Sequence, residues 1–521
     1  MSFSSSANDY TMMNHNELVD RLTHLEAQFQ QETSQLRERN ALLEEQLRWF
    51  QQQVFGRSSE KQAHAEPDPQ QGRLFNEAEA IAAATPVVDE SVEIPAHTRK
   101  KRGRKKLPDD LPRIEVVHDL PADEKVCSHD GLALQPIGEE VSEQLDYIPA
   151  KVRVIKHIRL KYACPGCDGC IKVAAKPAQL LPKSNASPAL LAQVVTAKYV
   201  DGLPLHRQEK QFARLGLSLS RASMANWMIK LGDGVMPLVN LLDDQIRAGP
   251  LIHCDETSLQ VLKSPGGDQH WMWVRVGGPP DQPVVLFDHD PSRGAAVPKR
   301  LLADFHGILL TDGYEPYELA ARAGSLIHAG CWAHVRRYFK DAQRVAGRTD
   351  GYAQQAVKTI GALYRIERDL RTEKASWDER LKARQKHSRP IVEDFKAWLE
   401  ALAREVVPQG ALGKAVHYAL HQWPKLIQFL DHGEIPMDNN RAENAIRPFV
   451  IGRKAWLFSD TPAGADASAR LYTLVETAKA NGLEPHAYLA HLFAELPKAQ
   501  SVEDIEALLP WNAKAAVTQP S

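Results

Sequence analysis

Apolar residues recur every seven positions from Leu22 through Phe29, Leu36 and Leu43 to Phe50. Leu18 and Leu25 supply a second row before it turns polar at Glu32, Arg39 and Gln46. A sustained seven-residue repeat is the pattern of helices wound around one another. Residues 15–54 are therefore expected to form one long helix that pairs with another copy of the chain. The repeat then stops, and 55–110 reads as a polar linker rich in Ala, Pro and Glu. Alternation from Val152 to Leu160 predicts strands in a small β module over 111–180. Helical spacing follows over 185–247. There a helix, a break at Gly216 and a second helix capped by Ser220 form a helix-turn-helix pattern, with Arg221, Asn226 and Lys230 on the second helix.

From Gly249 the spacing becomes that of strands: Leu251–Cys254, His270–Val276 and Pro283–Phe287. A helix over Ala295–Phe305 leads to a fourth, Gly307–Thr311. Adjacent strands, a crossover helix and a further strand predict a mixed α/β sheet. Residues 345–435 are helical by pattern, with Trp377, Trp398 and Trp423 as apolar anchors, and read as an all-α insertion. Closing helices and a disordered tail are expected over 481–521.

Composition adds bounds. A chain of 521 residues, 43% hydrophobic and 25% charged, has material for about three or four domains. No apolar run approaches the ~20 residues of a membrane span, and the N-terminus lacks a secretory pattern, so a cytoplasmic protein is expected. With a net charge of −2, nucleic-acid binding would have to come from local patches. One such patch is Arg99, Lys100, Lys101, Arg102, Arg104, Lys105 and Lys106, in which Arg102-Gly-Arg104 is narrow enough for a DNA minor groove. Cys127, Cys164, Cys167 and Cys170 cluster, which favours a metal over disulfides. With His129 they suit a structural Zn²⁺ ribbon. Asp130 stands where a second cysteine of the first pair is expected, leaving His129 or Cys170 as the fourth ligand.

Three acidic residues stand out. Asp255 and Asp312 follow the first and fourth strands, at ends that such a sheet can bring together. Glu443 lies in Met437–Phe458. The spacing Asn440-Arg-Ala-Glu443 is that of a capping box, in which Glu443 would only tie down a helix start. Alternatively, the three carboxylates converge, which requires cations between them. Oxygen ligands of this kind suit two Mg²⁺ (or Mn²⁺) ions, the arrangement that handles both the attacking and leaving oxygens of a phosphodiester. Glu476 is the competing third carboxylate. Arg447, Arg453 and Lys454, alternating with Phe449, Trp456 and Phe458, are candidate DNA contacts.

In order along the chain stand Phe55-Gly-Arg-Ser-Ser-Glu-Lys61, Glu143-Gln-Leu-Asp-Tyr-Ile-Pro-Ala150 and Lys198-Tyr-Val-Asp-Gly-Leu-Pro204. Then come Asp255-Glu-Thr257, Thr311-Asp-Gly-Tyr314 and Cys331-Trp-Ala-His334. Last are Asp438-Asn-Asn-Arg-Ala-Glu443 with Gly452-Arg-Lys454, and Thr477-Ala-Lys-Ala-Asn-Gly482. This order resembles that of the insertion sequence 66 transposases, bacterial DDE recombinases with a ribonuclease H-like core. The resemblance implies a multi-domain α/β protein whose catalytic domain, 249–344 and 436–480, is interrupted by the all-α insertion. It implies that Asp255, Asp312 and Glu443 are the DDE triad holding two Mg²⁺, acting on the element's terminal repeats and on target DNA, with accessory proteins encoded by the same element as possible partners. Within Cys331–His334, packing by Trp332 and phosphate contacts by Arg336, Arg337 and Lys340 are expected, with His334 beside the metals as the alternative. Two other functions fit parts of the pattern: a non-catalytic DNA-binding protein derived from a transposase, and a nuclease or junction resolvase indifferent to element ends.

Overall fold

A computed structural model describes residues 23–26, 28–30, 32–33, 39–40, 113–115, 132, 144, 151–163, 171–346 and 351–518. The basic run 99–106 and all five candidate zinc ligands, Cys127, His129, Cys164, Cys167 and Cys170, lie outside these residues. So does most of the seven-residue repeat. Its described parts are helical, and Leu25 and Phe29 are exposed there, as an apolar seam is in a single chain. The chain divides into two units, Asn76–His157 and the remainder. In the smaller, residues 113–115 and 151–157 have no regular secondary structure. The larger carries the fold.

Its first strands are short. β1 (Lys161–Ala163) pairs antiparallel with β2 (Ile171–Val173), so the strands flank the Cys164–Cys170 segment. The expected strand over Val152–Leu160 does not form; its apolar side chains Val154, Ile155 and Ile158 are exposed, and alternation without a face to bury does not hold a strand.

Four helices follow: α1 (Pro188–Tyr199), α2 (Leu205–Arg214), α3 (Arg221–Gly234) and α4 (Met236–Arg247). The starts of α1 and α3 are encoded locally, since Ser187 accepts from the Leu190 N–H and Ser220 from the Ser223 N–H. Gly216, at φ +80°, makes the break between α2 and α3. The helix-turn-helix pattern is realised, with Arg221, Asn226 and Lys230 exposed. These helices share one continuous core with the sheet that follows.

That sheet has the order β5-β4-β3-β6-β7. β3 (Leu251–Gln260), β4 (Gln269–Gly277) and β5 (Val284–Asp290) are antiparallel neighbours. α5 (Ala296–Leu301) then leads to β6 (Ile308–Thr311), which joins the other side of β3 in parallel. α6 (Glu315–Gly324) leads to β7 (Ile327–Gly330), parallel to β6. β7 was not foreseen, because four residues alone carry too little signal. The other correction concerns β3. The strand does not end at Cys254 but runs to Gln260, because β4 pairs with it throughout, so Asp255 is internal to β3 and paired with Val274.

Helices cover both faces. On one, the buried Arg275 of β4 donates to Asp243 of α4, to Asp288 of β5 and to the Leu301 carbonyl of α5. On the other lies α12 (Asn440–Trp456). Between β7 and α12 come α7 (Trp332–Ala346), α8 (Tyr352–Thr372), α9 (Trp377–Ala383), a π-helical turn (Arg384–Ser388), α10 (Arg389–Leu402) and α11 (Ala411–Leu426). They form a second core with Ile308, Leu310 and Ala329 of β6 and β7. Trp332 is its centre: fully buried, it meets Trp423 and Phe429 edge-on and donates its indole N–H to the Leu426 carbonyl at 2.9 Å. Trp423 is a buried anchor as expected, but Trp377 is 47% exposed, spent on a helix start whose cap is the Ser376–Glu379 box.

α13 (Pro462–Ala480) closes the sheet. β5 is an edge strand, and an edge leaves a row of unpaired backbone groups. Thr473 accepts from the Phe287 N–H (2.8 Å), Thr477 accepts from the Val285 N–H (3.1 Å) and donates to the Val285 carbonyl (2.9 Å), and Asn481 donates to the Pro283 carbonyl (2.9 Å). The match is metric: four residues of helix rise about 6 Å, close to the roughly 6.6 Å of two strand residues. α14 (Pro485–Glu495), α15 (Val502–Glu506) and α16 (Pro510–Thr518) follow; the expectation of a disordered tail fails for 510–518. Thr477→Val keeps shape but orphans both backbone groups of Val285, and is expected to cost about 1–3 kcal/mol, read as a lowered melting temperature.

Candidate active site

The parallel register of β3 and β6 pairs Leu251 with Ile308, Ile252 with Leu309 and His253 with Leu310. Carried two residues on, it sets Asp255 opposite Asp312. Each carboxylate is oriented by its own backbone: Asp255 Oδ1 accepts from the Glu256 N–H (2.9 Å), and Asp312 Oδ1 from the Tyr314 N–H (3.0 Å). Gly313 between them has φ +95°, and a Cβ there would lie 2.7 Å from the Gln422 side chain, so this turn requires glycine. Tyr418, also on α11, donates its hydroxyl to the Asp312 carbonyl at 2.7 Å. The insertion thus buttresses the second aspartate. Beside it, Tyr338 and Tyr418 stack at 4.4 Å and, with Gln409, Lys414 and His417, line a cavity of about 520 Å³.

The third carboxylate arrives on α12. Burial first, then the charges of Glu256, Asp312 and Glu443, hold Asp255 well above the ordinary aspartate range. All three sequence candidates therefore bear on one place. Glu476 does not join them: on α13 it pairs with Lys479 at 2.9 Å. Glu443 makes no capping box. The N-cap of α12 is Asn439, whose own side chain makes no capping bond; Asp438 Oδ1 accepts the Asn440 N–H at 3.2 Å instead.

Asn439 is instead a junction, and sequence reasoning missed it. Fully buried, it donates Nδ2–H to the Cys254 carbonyl (2.7 Å) and its backbone N–H to Cys331 Sγ (3.2 Å). Its Oδ1 meets His253 Nδ1 at 3.0 Å. Burial, with the Arg441 charge second, pulls His253 down to about 4, so the ring is neutral and Nδ1–H is the donor. The Asn439 carbonyl accepts from the Ala442 and Glu443 N–H groups, while the Met437 carbonyl accepts from the Trp332 N–H. One strap, 437–439, thereby locks β3, the start of α7 and the first turn of α12 together. The only sequence signal was the polar run Asp438-Asn-Asn, read there as cap chemistry.

Around Glu443 stand His334 Nδ1, 3.7 Å from Oε1, and Arg337 Nη2, 3.6 Å from Oε2. The ligand atoms of Cys331, His334 and Glu443 all lie within 4.8 Å of one another. On the opposite face of β3 is Glu256, whose carboxylate takes two bonds from Arg293 and one from the Tyr317 hydroxyl (2.6 Å). The Arg293 guanidinium stacks over Trp271 and Tyr314. Burial and the Asp312 charge raise Glu256 to about 7 despite these bonds.

The basic–aromatic alternation after Glu443 separates into two functions. Phe449 is core and Trp456 packs on it edge-on, so neither faces a ligand. Arg447 and Lys454 are exposed, whereas Arg453 reaches back to Thr257 and Ser258 of β3. Gly452 lets α12 approach α13, since a Cβ there would meet the Tyr472 hydroxyl at 2.7 Å.

Residues 183–467 match the family described as "Transposase IS66 family". The chain belongs to the IS66 transposase family. Three further matches follow the order of the parts: "Transposase C of IS166 homeodomain" over 42–116, "zinc-finger binding domain of transposase IS66" over 124–168 and "IS66 C-terminal element" over 473–511. Among relatives, uncharacterized proteins y4jD and y4qI of Sinorhizobium fredii (strain NBRC 101917 / NGR234) are 35% and 37% identical. The matches cover 78% and 80% of this chain and 82% and 78% of theirs. This IS66-family chain thus carries transposase domains, which imply DNA binding, a divalent metal in the core and zinc in the finger. Among the described residues no helix is long and apolar enough to cross a membrane. The core residues fit a cation: Glu443 Oε1 is buried without a hydrogen-bond partner, and its charge reaches an Asp255 that burial first, and its acidic neighbours second, hold above its usual range.

Two outcomes follow. Asn439→Ala orphans the Cys254 carbonyl and loosens α12, and is expected to cost about 2–4 kcal/mol in thermal or denaturant unfolding. The second concerns pH. A carboxyl raised in the folded state binds protons more tightly there than when unfolded, so stability falls as pH rises. For Glu256 the penalty is absent below about 4.5 and complete above about 7; Asp255 acts in the same direction. Without added Mg²⁺ or Mn²⁺, the melting temperature should drop between pH 5 and 8, and Glu256→Gln should flatten that slope.

Proposed function

We propose that this IS66-family chain catalyses metal-dependent DNA strand cleavage and strand transfer at the ends of its insertion sequence, with Asp255, Asp312 and Glu443 as the triad. The observation carrying this reading is that the β3–β6 register sets Asp255 opposite Asp312 and that the charges of Asp312 and Glu443 both reach the buried Asp255. The strand order supports a ribonuclease H-like core: three antiparallel strands, then two parallel ones added beyond the first. The catalytic unit is 249–344 with 436–480, and 345–435 is its insertion.

Two divalent ions bound by the triad would stabilise the attacking and leaving oxygens of the phosphodiester. Water attacks phosphorus and the P–O3′ bond breaks, leaving a 3′-hydroxyl on the element end. That hydroxyl then attacks a target phosphodiester, forming one P–O3′ bond as another breaks. The chain's own contribution is placement. The β3–β6 register fixes the two aspartates, the Asn439 strap fixes Glu443, and Tyr418 and Gln422 close the Asp312 turn from the insertion side, so little reorganisation is left for the reaction. Arg447 and Lys454, exposed beyond Glu443, and Lys414 and His417 of the cavity beside Asp312 provide contacts for phosphates. Arg221 on α3, the basic run 99–106 and the zinc ribbon would bind DNA elsewhere along it. The N-terminal heptads would join copies, with proteins of the same element as accessories.

Asp255→Asn, Asp312→Asn and Glu443→Gln should each reduce Mg²⁺- or Mn²⁺-dependent cleavage of element-end DNA to background while binding of that DNA persists in a mobility-shift assay. Wild-type protein that binds ends and cuts none, with element-encoded proteins supplied, would point to the non-catalytic reading. Equal cleavage of ends and of scrambled ends would point to a nuclease.

A further inference from the structure

We infer that His334 is a nitrogen ligand to the ion held by Glu443, which makes this a mixed imidazole–carboxylate centre that favours Mn²⁺ over Mg²⁺. The inference rests on the carboxylate reading above. It begins with how firmly His334 is placed. It lies on the first turn of α7, two residues after Trp332, whose burial and bond to the Leu426 carbonyl fix that turn to the second core. The strap reinforces it, because the Met437 carbonyl accepts the Trp332 N–H and Cys331 Sγ accepts the Asn439 N–H. The same strap sets the first turn of α12. His334 and Glu443 are thus held to each other by scaffold on both sides.

The separation is informative. His334 Nδ1 and Glu443 Oε1 are 3.7 Å apart, with the two side chains only 11% and 13% exposed. That is too long for a hydrogen bond. Two atoms that each sit about 2.1 Å from a shared ion can be at most about 4.2 Å apart, and 3.7 Å lies inside that limit. Glu443 Oε1 is, in addition, a buried acceptor with no hydrogen-bond partner among the described residues, which is costly unless something positive completes it. Cys331 Sγ lies close by, but it already accepts the Asn439 N–H and anchors the strap.

The choice of ion follows from the donor set. Mg²⁺ takes oxygen ligands and tolerates little else. Imidazole raises affinity for first-row transition ions over that background, and Mn²⁺ accepts both kinds of ligand. His334 would be the residue that tilts an otherwise all-oxygen site.

The test reads the ion rather than the reaction. Full-length protein with zinc in its finger is titrated with Mn²⁺, and bound Mn²⁺ is followed by electron paramagnetic resonance, with spin-echo modulation reporting coupled ¹⁴N. Wild type should show a ¹⁴N coupling. His334→Ala and His334→Gln, checked as folded by their melting temperatures, should lose it. They should bind Mn²⁺ on the order of tenfold more weakly, with Mg²⁺ competing more effectively. Bound Mn²⁺ that is sensitive to Asp255→Asn but shows no ¹⁴N coupling, or a coupling that survives in both His334 variants, overturns the inference and leaves the triad standing. Wild type that binds no Mn²⁺, or binds it equally after Asp255→Asn, overturns the triad as well.

Discussion

Like charges crowded into a mostly buried pocket repel one another, and this repulsion is what the surrounding structure has to bear. Asp255, Asp312 and Glu443 come from β3, β6 and α12, elements far apart in sequence, and nothing in their own chemistry draws them together without a cation. Each is restrained by bonds that do not involve the others. The aspartates are set by a parallel pair of strands whose backbone ladder is indifferent to side-chain charge. Each also accepts a backbone N–H from its own loop or strand. Glu443 is set through Asn439, which spends its side chain on β3 rather than on capping its own helix. Diverting the N-cap side chain in this way forgoes up to about 1 kcal/mol, partly offset by Asp438 on the Asn440 N–H, and what it gains is a fixed distance between α12 and β3. Glu256, one residue from Asp255 but on the other face, shows the alternative solution: there the neutralising cation is Arg293, supplied by the chain itself.

The insertion and the sheet meet at this pocket for a topological reason. The chain leaves the sheet at β7, builds the second core, and returns through 437–439 to place α12. Both the exit, at Cys331 and Trp332, and the return, at Met437 and Asn439, bond to each other. The segment between them is therefore closed at its root. Its contribution to the pocket comes from α11, through Tyr418 on the Asp312 carbonyl and Gln422 against Gly313. At the far edge α13 performs the complementary task, satisfying the backbone of β5 with Thr473, Thr477 and Asn481 so that the sheet ends there.

What the sequence disclosed and what it withheld divide along the range of the interactions. Strongly periodic stretches were legible: β4 and β6 fall within a residue of expectation, β5 starts within a residue and ends three residues later, and Ser220 caps α3 as its spacing predicts. Boundaries set by a partner strand were not. Leu251–Cys254 looks finished at Asp255, because a carboxylate ends an apolar run, yet pairing with β4 carries the strand six residues further. The three carboxylates could be named from their positions near strand ends and a helix start. The residues that hold them, and Arg293 that pairs with Glu256, could not: Asn439, Tyr418, Gln422 and Arg293 act on groups between 37 and about 190 residues away, and no local period marks them. The alternation after Glu443 misled for a related reason. In a helix of α12's length, Phe449 and Arg447 fall on different faces, and only packing decides that one face is core.

The charge of the pocket also bears on how DNA reaches it. Three acidic groups, without cations, repel a phosphate backbone, and a chain of net charge −2 offers no general field to overcome that. On the proposed reading, binding would be borne by separate basic surfaces, such as the run 99–106 or the exposed Arg447 and Lys454, and entry to the pocket by cations bound there. Affinity and chemistry become separable: the first depends on salt through phosphate contacts, the second on divalent ions. Arg337 approaches Glu443 without closing a hydrogen bond, at 3.6 Å. A fully paired carboxylate would be stable without metal and would have no vacancy to offer it, whereas a half-neutralised one keeps its affinity for an ion while the fold tolerates the wait.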